Sequence, residues 1–197
     1  MRRPLVCLLL GLAAPLAAAP LTVDVRDGAG QPLADAVVFL ESAEARRQVR
    51  PLAQAEMGQA GKQFVPQVLV VPVGTAVNFP NRDTVRHHVY SFSPARKFEL
   101  KLYIGTPAQP VLFDRPGVVV LGCNIHDQMV GWILVVQTPY YARTGADGRA
   151  VIDVPAGSYR LRSWHPGLPV GAPAQDQAWL ASGSAQDVLV RMPDARP

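Results

Sequence analysis

The residue types best suited to chemistry are concentrated in one short stretch, LGCNIHDQMVGWILVV, at residues 121–136. It contains Cys123, His126 and Met129, with two residues between each neighbouring pair. Electron-transfer copper sites use one thiolate and two imidazoles in a trigonal plane, with a weak thioether on the axis. The stretch supplies three of these four donors, so the sequence predicts a metal site that needs one more histidine.

The missing imidazole is available in an upstream segment, VNFPNRDTVRHHVYSF, at residues 77–92. This segment contains two adjacent histidines, His87 and His88. Because neighbouring residues of a strand face opposite sides of a sheet, only one of them can reach a site inside a β-sandwich. The residues alone leave the choice between the two histidines open.

Cysteine usage supports a protected role for Cys123. The only other cysteine, Cys7, lies in residues 1–19, where Arg2 and Arg3 precede an apolar run that ends in small residues. This order is typical of a secretory signal peptide, so we expect export to the periplasm and loss of Cys7 on cleavage. A single thiol in an oxidising compartment cannot form an internal disulfide, and burial, a partner chain or a metal would have to protect it.

Charge and motifs exclude several classes of function. The formal charge of +4 falls by two when Arg2 and Arg3 are removed, which is too small to indicate nucleic acid as a partner. No segment after the signal peptide approaches ~18 uninterrupted apolar residues, so no integral membrane segment is expected in the mature chain. The chain also lacks a nucleophile elbow, a glycine-rich phosphate loop and an HExxH motif, and we predict that it is not an enzyme.

The segments around these candidate ligands are predicted to be strands. Short apolar or alternating runs separated by Gly, Pro, Asn and Asp recur along the chain, and its nineteen prolines oppose long helices. In KFELKLYI, the alternation places Phe98, Leu100, Leu102 and Ile104 on one face. The segment GADGRAVIDVPAGSYRLRSW is predicted to form a β-meander. The only plausible helical turn lies in residues 43–55, for which a loop is an equal alternative. The predicted fold class is therefore all-β.

Two distant segments resemble halves of one module. VRDGAGQPLADAVVFLE and ARTGADGRAVIDVPAGSYRLRSW together resemble the carboxypeptidase-regulatory or transthyretin-like β-sandwich, whose two pieces are normally close in sequence. Here about ninety residues separate them, and surface loops tolerate the insertion of a domain. We therefore predict a discontinuous β-sandwich at 20–48 and 139–197, with a second domain at 49–138 inserted into it.

The inserted segment resembles the cupredoxin family over roughly residues 64–136. PGVVVLGCNIHDQMVGWILVV is similar to the end of a plastocyanin-type domain, and the two gaps around His126 match the short ligand loop of amicyanin. In FPNRDTVRHHV, the amicyanin-like count from Asn81 indicates His87 as the ligand. The resemblance implies a Greek-key sandwich with one copper ion, held by the metal ligands His87, Cys123, His126 and Met129.

The predicted function is a type 1 copper protein that carries single electrons to and from a transient protein redox partner, as a monomer. The alternatives are a copper carrier or sensor without an electron-transfer role, and an assembly module built on the outer sandwich. Asp127 departs from amicyanin-like loops, so the fourth position is open between Asp127 and Met129. Zinc also suits a Cys-His-His set, although divalent copper binds such donors more tightly. Chains of this layout also resemble exported bacterial proteins labelled methylamine utilization proteins.

Overall fold

A computed structural model describes residues 18–196 of the chain, and within them strands predominate. The sixteen strands of this part are, in chain order, β1 (Ala18–Asp27), β2 (Val37–Glu41), β3 (Gly58–Ala60), β4 (Gln63–Val65), β5 (Val68–Pro72), β6 (Thr75–Val77), β7 (His87–Ser93), β8 (Arg96–Tyr103), β9 (Val111–Phe113), β10 (Gly117–Cys123), β11 (Val130–Val136), β12 (Tyr141–Arg143), β13 (Arg149–Pro155), β14 (Gly157–Trp164), β15 (Gln175–Ala181) and β16 (Gln186–Met192). The prediction of an all-β fold is confirmed.

The described part contains one short helix, α1 (Ala43–Gln48), within the predicted range of 43–55. Ser42 caps it, since its side-chain oxygen accepts a hydrogen bond from the backbone N–H of Ala45 at 3.0 Å. No helix in residues 18–196 is long and apolar enough to cross a membrane. The predicted signal peptide lies outside the described residues, except for Ala18 and Ala19, which begin β1.

A five-stranded sheet in the order β5-β11-β10-β7-β8 contains the strands that flank the predicted metal site. β5 and β11 are parallel, whereas β10 is antiparallel to both β11 and β7. The sequences VVVLGC and WILVV are almost wholly apolar, which is typical of strands that are covered on both faces. The predicted strands around the cysteine are thus present and adjacent.

Two buried apolar clusters cover the opposite faces of this sheet. We call the first the site cluster; its members are Ala55, Met57, Phe64, Val71, Val77, Phe79, Val89, Val111, Phe113, Val119, Leu121, Cys123, Met129, Ile133 and Val135. We call the second the frame cluster; it is built mainly from the buried apolar residues of β1, β2, β13, β14 and β16, together with Val68, Leu134 and Val136. Alternate residues of β11 therefore enter different clusters, and each fully buried Ile, Leu or Val contributes about 1.5–3 kcal/mol.

The remaining large sheets belong to the frame. One is three-stranded in the order β13-β1-β16, and the other is four-stranded in the order β12-β2-β14-β15. Their strands come from residues 18–41 and 141–192, whereas the five-stranded sheet and the two small sheets, β3-β4 and β6-β9, come from residues 58–136. The division into 20–48 with 139–197 and an inserted 49–138 stays a prediction.

The predicted meander at the second frame segment is wrong. β13 pairs with β1, whereas β14 pairs with β2 and β15, so the turn at Ala156-Gly157 carries the chain from one sheet to the other. Ile152 and Leu161 nevertheless both point into the frame cluster. Alternation of apolar residues satisfies either arrangement, which is why the pattern did not distinguish them.

The predicted single apolar face of β8 is wrong at the end of the strand. Pairing with β7 is regular up to Leu100, but the next paired position sets Tyr103 opposite His87, and β8 has one residue more than its partner there. Such a β-bulge reverses the faces of the residues that follow. Tyr103 consequently packs on the site cluster, while Leu102 and Ile104 are 48% and 58% exposed.

Candidate metal centre

Three side chains from distant parts of the sequence converge at one end of the five-stranded sheet. The Nδ1 atoms of His87 and His126 lie 3.2 Å apart, and the Sγ atom of Cys123 lies 3.8 Å from the first and 3.6 Å from the second. Among the described residues, this is the one group of three or more His, Cys, Asp or Glu side chains close enough to share a metal ion.

The size of this triangle fits a metal ion. A point equidistant from the three donor atoms lies about 2 Å from each of them, which is close to the ~2.0–2.3 Å bonds that His nitrogen and Cys sulfur make to metals. Two imidazoles and a thiolate also form the trigonal donor set of electron-transfer copper sites. The residues present therefore fit a copper ion in both chemistry and spacing.

Pairing between β7 and β10 brings His87 to Cys123. Cys123 is opposite Val89 in the antiparallel ladder, and Gly122 is opposite Tyr90. His87 and Val89 are both fully buried on the inner face of β7, as expected for residues two apart on a strand. The ladder thus places the ring of His87 next to the last residue of β10.

A tight turn returns the chain from Cys123 to β11 and carries the other two predicted ligands. The backbone N–H of Met129 donates to the carbonyl oxygen of His126 at 2.9 Å. Met129 is 1% exposed and belongs to the site cluster together with Cys123, whereas His126 is half-buried. The two predicted ligands therefore differ in exposure, since His126 is partly accessible to solvent and Met129 is enclosed in the site cluster.

Asn81 holds the loop before His87. In the sequence pattern this residue marked only the start of the spacing to His87. Its side-chain amide donates to the carbonyl oxygens of Val85 at 2.8 Å and Tyr103 at 2.9 Å, and its Oδ1 accepts from the backbone N–H of Asp83 at 2.9 Å. Asn81 is 5% exposed, so these bonds are shielded from water. This residue fixes the path of the chain into β7.

Sequence reasoning missed Asp83. The Nε2–H of His87 donates to its Oδ2 at 2.8 Å, on the opposite side of the ring from Cys123. Hydrogen bonds from the backbone N–H of Lys62, from His87 and from the backbone N–H of Gly61 hold the pKa of Asp83 below its usual 3.8. The one available signal was an acidic residue four positions before the ligand, and in an irregular loop that spacing has no fixed geometry.

Two residues that the sequence left in question lie outside the donor triangle. The ring of His88 is on the other face of β7, where its Nε2 is 2.9 Å from a carboxylate oxygen of Glu99. Asp127 is exposed and is not part of the group of donors found in residues 18–196.

The half-buried Tyr103 packs against the site cluster and makes two hydrogen bonds. The hydroxyl of Tyr103 donates to the carbonyl oxygen of Phe79 at 2.7 Å and accepts from the side-chain amide of Gln59. Burial raises the pKa of Tyr103 to about 12. Tyr103 therefore stays neutral at physiological pH and adds no charge next to the donors.

A second buried histidine, His165, lies in the frame. Its Nε2–H donates to the carbonyl oxygen of Ala34 at 3.0 Å, and its Nδ1 accepts from the backbone N–H of Gly167 at 3.0 Å. Burial lowers the pKa of His165 below its usual 6.5. Both ring nitrogens are occupied by backbone groups, so His165 has no free donor for a metal.

Several solved structures are similar to part of this chain. They include a copper-containing nitrite reductase from Thermus scotoductus (24% identity, 57% of this chain and 28% of that chain, TM-score 0.40) and a purple cupredoxin from Nitrosopumilus maritimus (25% identity, 43% of this chain and 100% of that chain, TM-score 0.37). An oxidised amicyanin variant matches at 19% identity over 50% of this chain and 98% of that chain, with a TM-score of 0.39.

The purple cupredoxin and amicyanin matches span 43% and 50% of this chain. The chain spans 28% of the length of the nitrite reductase chain. No protein-family model matches the sequence, and no curated protein sequence matches it.

Proposed function

We propose that this protein carries single electrons by means of one copper ion, which Cys123, His87 and His126 would hold, with Met129 as a weak fourth ligand. The observation that carries this proposal is the convergence of one cysteine sulfur and two imidazole nitrogens within 3.8 Å of one another. Bound copper would supply the Cu(I)/Cu(II) couple. A role for Met129 is supported by its burial in the same cluster as Cys123.

The donor set favours copper over zinc. Imidazole and thiolate donors bind divalent copper more tightly than zinc, and structural zinc sites use four strong ligands. Here three strong donors lie in one group, and the fourth candidate is a thioether, which is a poor ligand for zinc. A trigonal site with a weak fourth ligand is the arrangement used for electron transfer.

The burial and support of the donors suit rapid electron transfer. His87 is fully buried and Cys123 is 4% exposed, and both belong to paired strands of one sheet. Donors held in this way change little in position when the charge of the ion changes, so little reorganisation accompanies transfer. Rigidity of β7 and β10 is therefore part of the proposed mechanism.

We propose that electrons enter and leave the site through His126, which is half-buried. Ile125, 48% exposed, and the exposed Gln128 flank it in the same loop. A redox partner would dock here over a small area, because electron-transfer complexes are transient. With Met129 as the fourth ligand, no strong open position is left for a substrate, and we propose a carrier and not an enzyme.

The proposal includes a location and an organisation. The signal-like residues 1–19 favour export to the periplasm, and the mature protein is proposed to act as a monomer. The frame at 20–48 and 139–197 would then support an inserted copper domain at 49–138. Strand pairing within each of these ranges supports that division.

The decisive experiment adds Cu(II) to the purified mature protein. We expect an intense visible thiolate-to-copper absorption and one bound ion, and we expect Cys123→Ser to abolish the absorption because the thiolate is its source. Adding Zn(II) before copper is the control for site occupancy. A colourless copper-loaded protein, or an absorption that persists in Cys123→Ser, would contradict the proposal.

The second candidate is a copper carrier or sensor that passes the ion to another protein. The half-exposed His126 favours it, since a partner's ligand could reach the site from that side. The burial of His87 and Cys123 opposes it, because exchange requires access to the ion. Rapid loss of copper to a chelator, without reversible reduction by small redox proteins, would support the carrier role over electron transfer.

A further inference from the structure

The carboxylate of Asp83 lies directly behind a proposed ligand. Its Oδ2 accepts the Nε2–H of His87 at 2.8 Å, while the Nδ1 of the same ring is 3.8 Å from the Cys123 sulfur. A carboxylate can only accept at this position, so the proton of the neutral ring is on Nε2. The lone pair of Nδ1 then points towards the other donors.

The carboxylate is itself held in place by the β3–β4 hairpin. The backbone N–H of Gly61 donates to Oδ1 at 2.7 Å and that of Lys62 donates to Oδ2 at 2.9 Å. Both residues have positive φ, 61° and 58°, which turns their N–H groups towards the same carboxylate. The backbone of Asp83 is fixed in turn by Asn81. Four hydrogen bonds therefore determine where this acid lies.

We infer that Asp83 is a positioning residue that orients His87 and strengthens it as a donor. The inference rests on the proposed function, because it needs His87 to bind copper. A carboxylate that accepts from the distal nitrogen of a metal-bound histidine fixes the tautomer and raises the basicity of the ligand. A more basic ligand stabilises the more highly charged ion, so Asp83 lowers the reduction potential of the site.

A purely structural role of Asp83 makes a different prediction. If the carboxylate only ties the hairpin to the loop, its replacement would lower stability and leave the bound copper unchanged. The side chain is 16% exposed and part of its bonding is to backbone N–H groups, so such a role must be tested directly. Copper affinity and reduction potential are the readouts that separate the two.

The test compares Asp83→Asn with Asp127→Asn in the full mature chain. Both variants remove one negative charge, but Asp127 is exposed and outside the donor group of the described residues. We expect Asp83→Asn to weaken copper binding by about 10- to 100-fold and to raise the reduction potential. We expect Asp127→Asn to leave the affinity within a few-fold of wild type. Equal behaviour of the two variants would overturn the inference.

A measurement on the unsubstituted, metal-free protein remains informative if Asp83→Asn does not fold. The ¹⁵N chemical shifts of the His87 ring should report a single Nε2–H tautomer at neutral pH, because the carboxylate holds that proton. A mixture of tautomers would overturn the inference. Absence of a thiolate-to-copper absorption in wild type would defeat the proposed function instead, so the two failures are distinguishable.

Discussion

The molecule contains two buried histidines with opposite surroundings, His87 beside the site cluster and His165 in the frame. They are 0% and 5% exposed, so burial alone does not distinguish them. His165 uses both ring nitrogens on backbone groups of Ala34 and Gly167. His87 uses one nitrogen on Asp83 and presents the other to two further donors.

The difference shows what separates a structural histidine from a ligand. A buried ring whose two nitrogens are satisfied by fixed backbone groups stabilises the fold and has no lone pair left over. A buried ring with one nitrogen oriented by a carboxylate and the other facing a thiol is organised for a metal.

The largest effect is expected from His87→Gln, with His88→Gln as the matched control. Removing one of three strong donors should weaken copper binding by more than the about 10- to 100-fold that is typical when a ligand loses its hydrogen-bond partner. His88 faces the other side of β7, near Glu99, and its replacement should leave the absorption and the affinity unchanged. Titration with copper, followed by visible absorption, measures both. The reverse result would move the site to His88.

An intermediate effect, on stability and not on copper, is expected from His165→Leu. The substitution leaves the N–H of Gly167 and the carbonyl of Ala34 without their partner, which should lower the free energy of unfolding by about 1–3 kcal/mol. Denaturant unfolding of the metal-free protein measures the loss. The copper absorption should be unaltered, and its disappearance would mean that the frame histidine also supports the site.

The smallest effect is a pH dependence of stability that His165 causes. Its pKa is lowered in the folded protein, so the unfolded chain takes up a proton first as the pH falls below the usual 6.5. Stability from this group is complete above 6.5 and is lost as the pH falls through the folded pKa, by at most about 1.4 kcal/mol per pH unit.

The difference in the free energy of unfolding between metal-free wild type and His165→Leu isolates the contribution of His165 from that of the other histidines. It should shrink between about pH 7.5 and about pH 5, as measured by urea unfolding. A difference that stays constant over this range would show that protonation of His165 does not oppose folding.

The sequence predicted the parts of the site that depend on short spacings. Cys123 and His126 are three residues apart, so one turn brings their donor atoms together. The strand rule correctly stated that only one of the adjacent histidines could face inward. The role of Met129 as a ligand stays a prediction. Asp83 was missed because its position depends on a hairpin twenty residues upstream and on Asn81. No local pattern records contacts of that range.

The two errors in the predicted fold also arise from contacts that no local sequence pattern records. The pattern of β8 was regular, but the bulge opposite His87 shifted its last residues by one position and placed Tyr103 where Leu102 was expected. The alternation in β13 and β14 was also correct, yet it did not reveal that the two strands belong to different sheets. Period and burial were predictable; the partner of each strand was not.

Strand β11 links the candidate metal centre to the packing of the frame, because its two faces contact different clusters. Ile133 and Val135 face the site cluster, and Leu134 and Val136 face the frame cluster. Sliding this strand by a single residue would exchange the two sets, and both clusters would lose their fit at once. Since Met129 immediately precedes β11, the depth of its side chain is set by packing on the far side of the sheet. A substitution such as Leu134→Ala, which leaves a cavity in the frame cluster, would thus change the depth of the Met129 side chain without altering any donor residue.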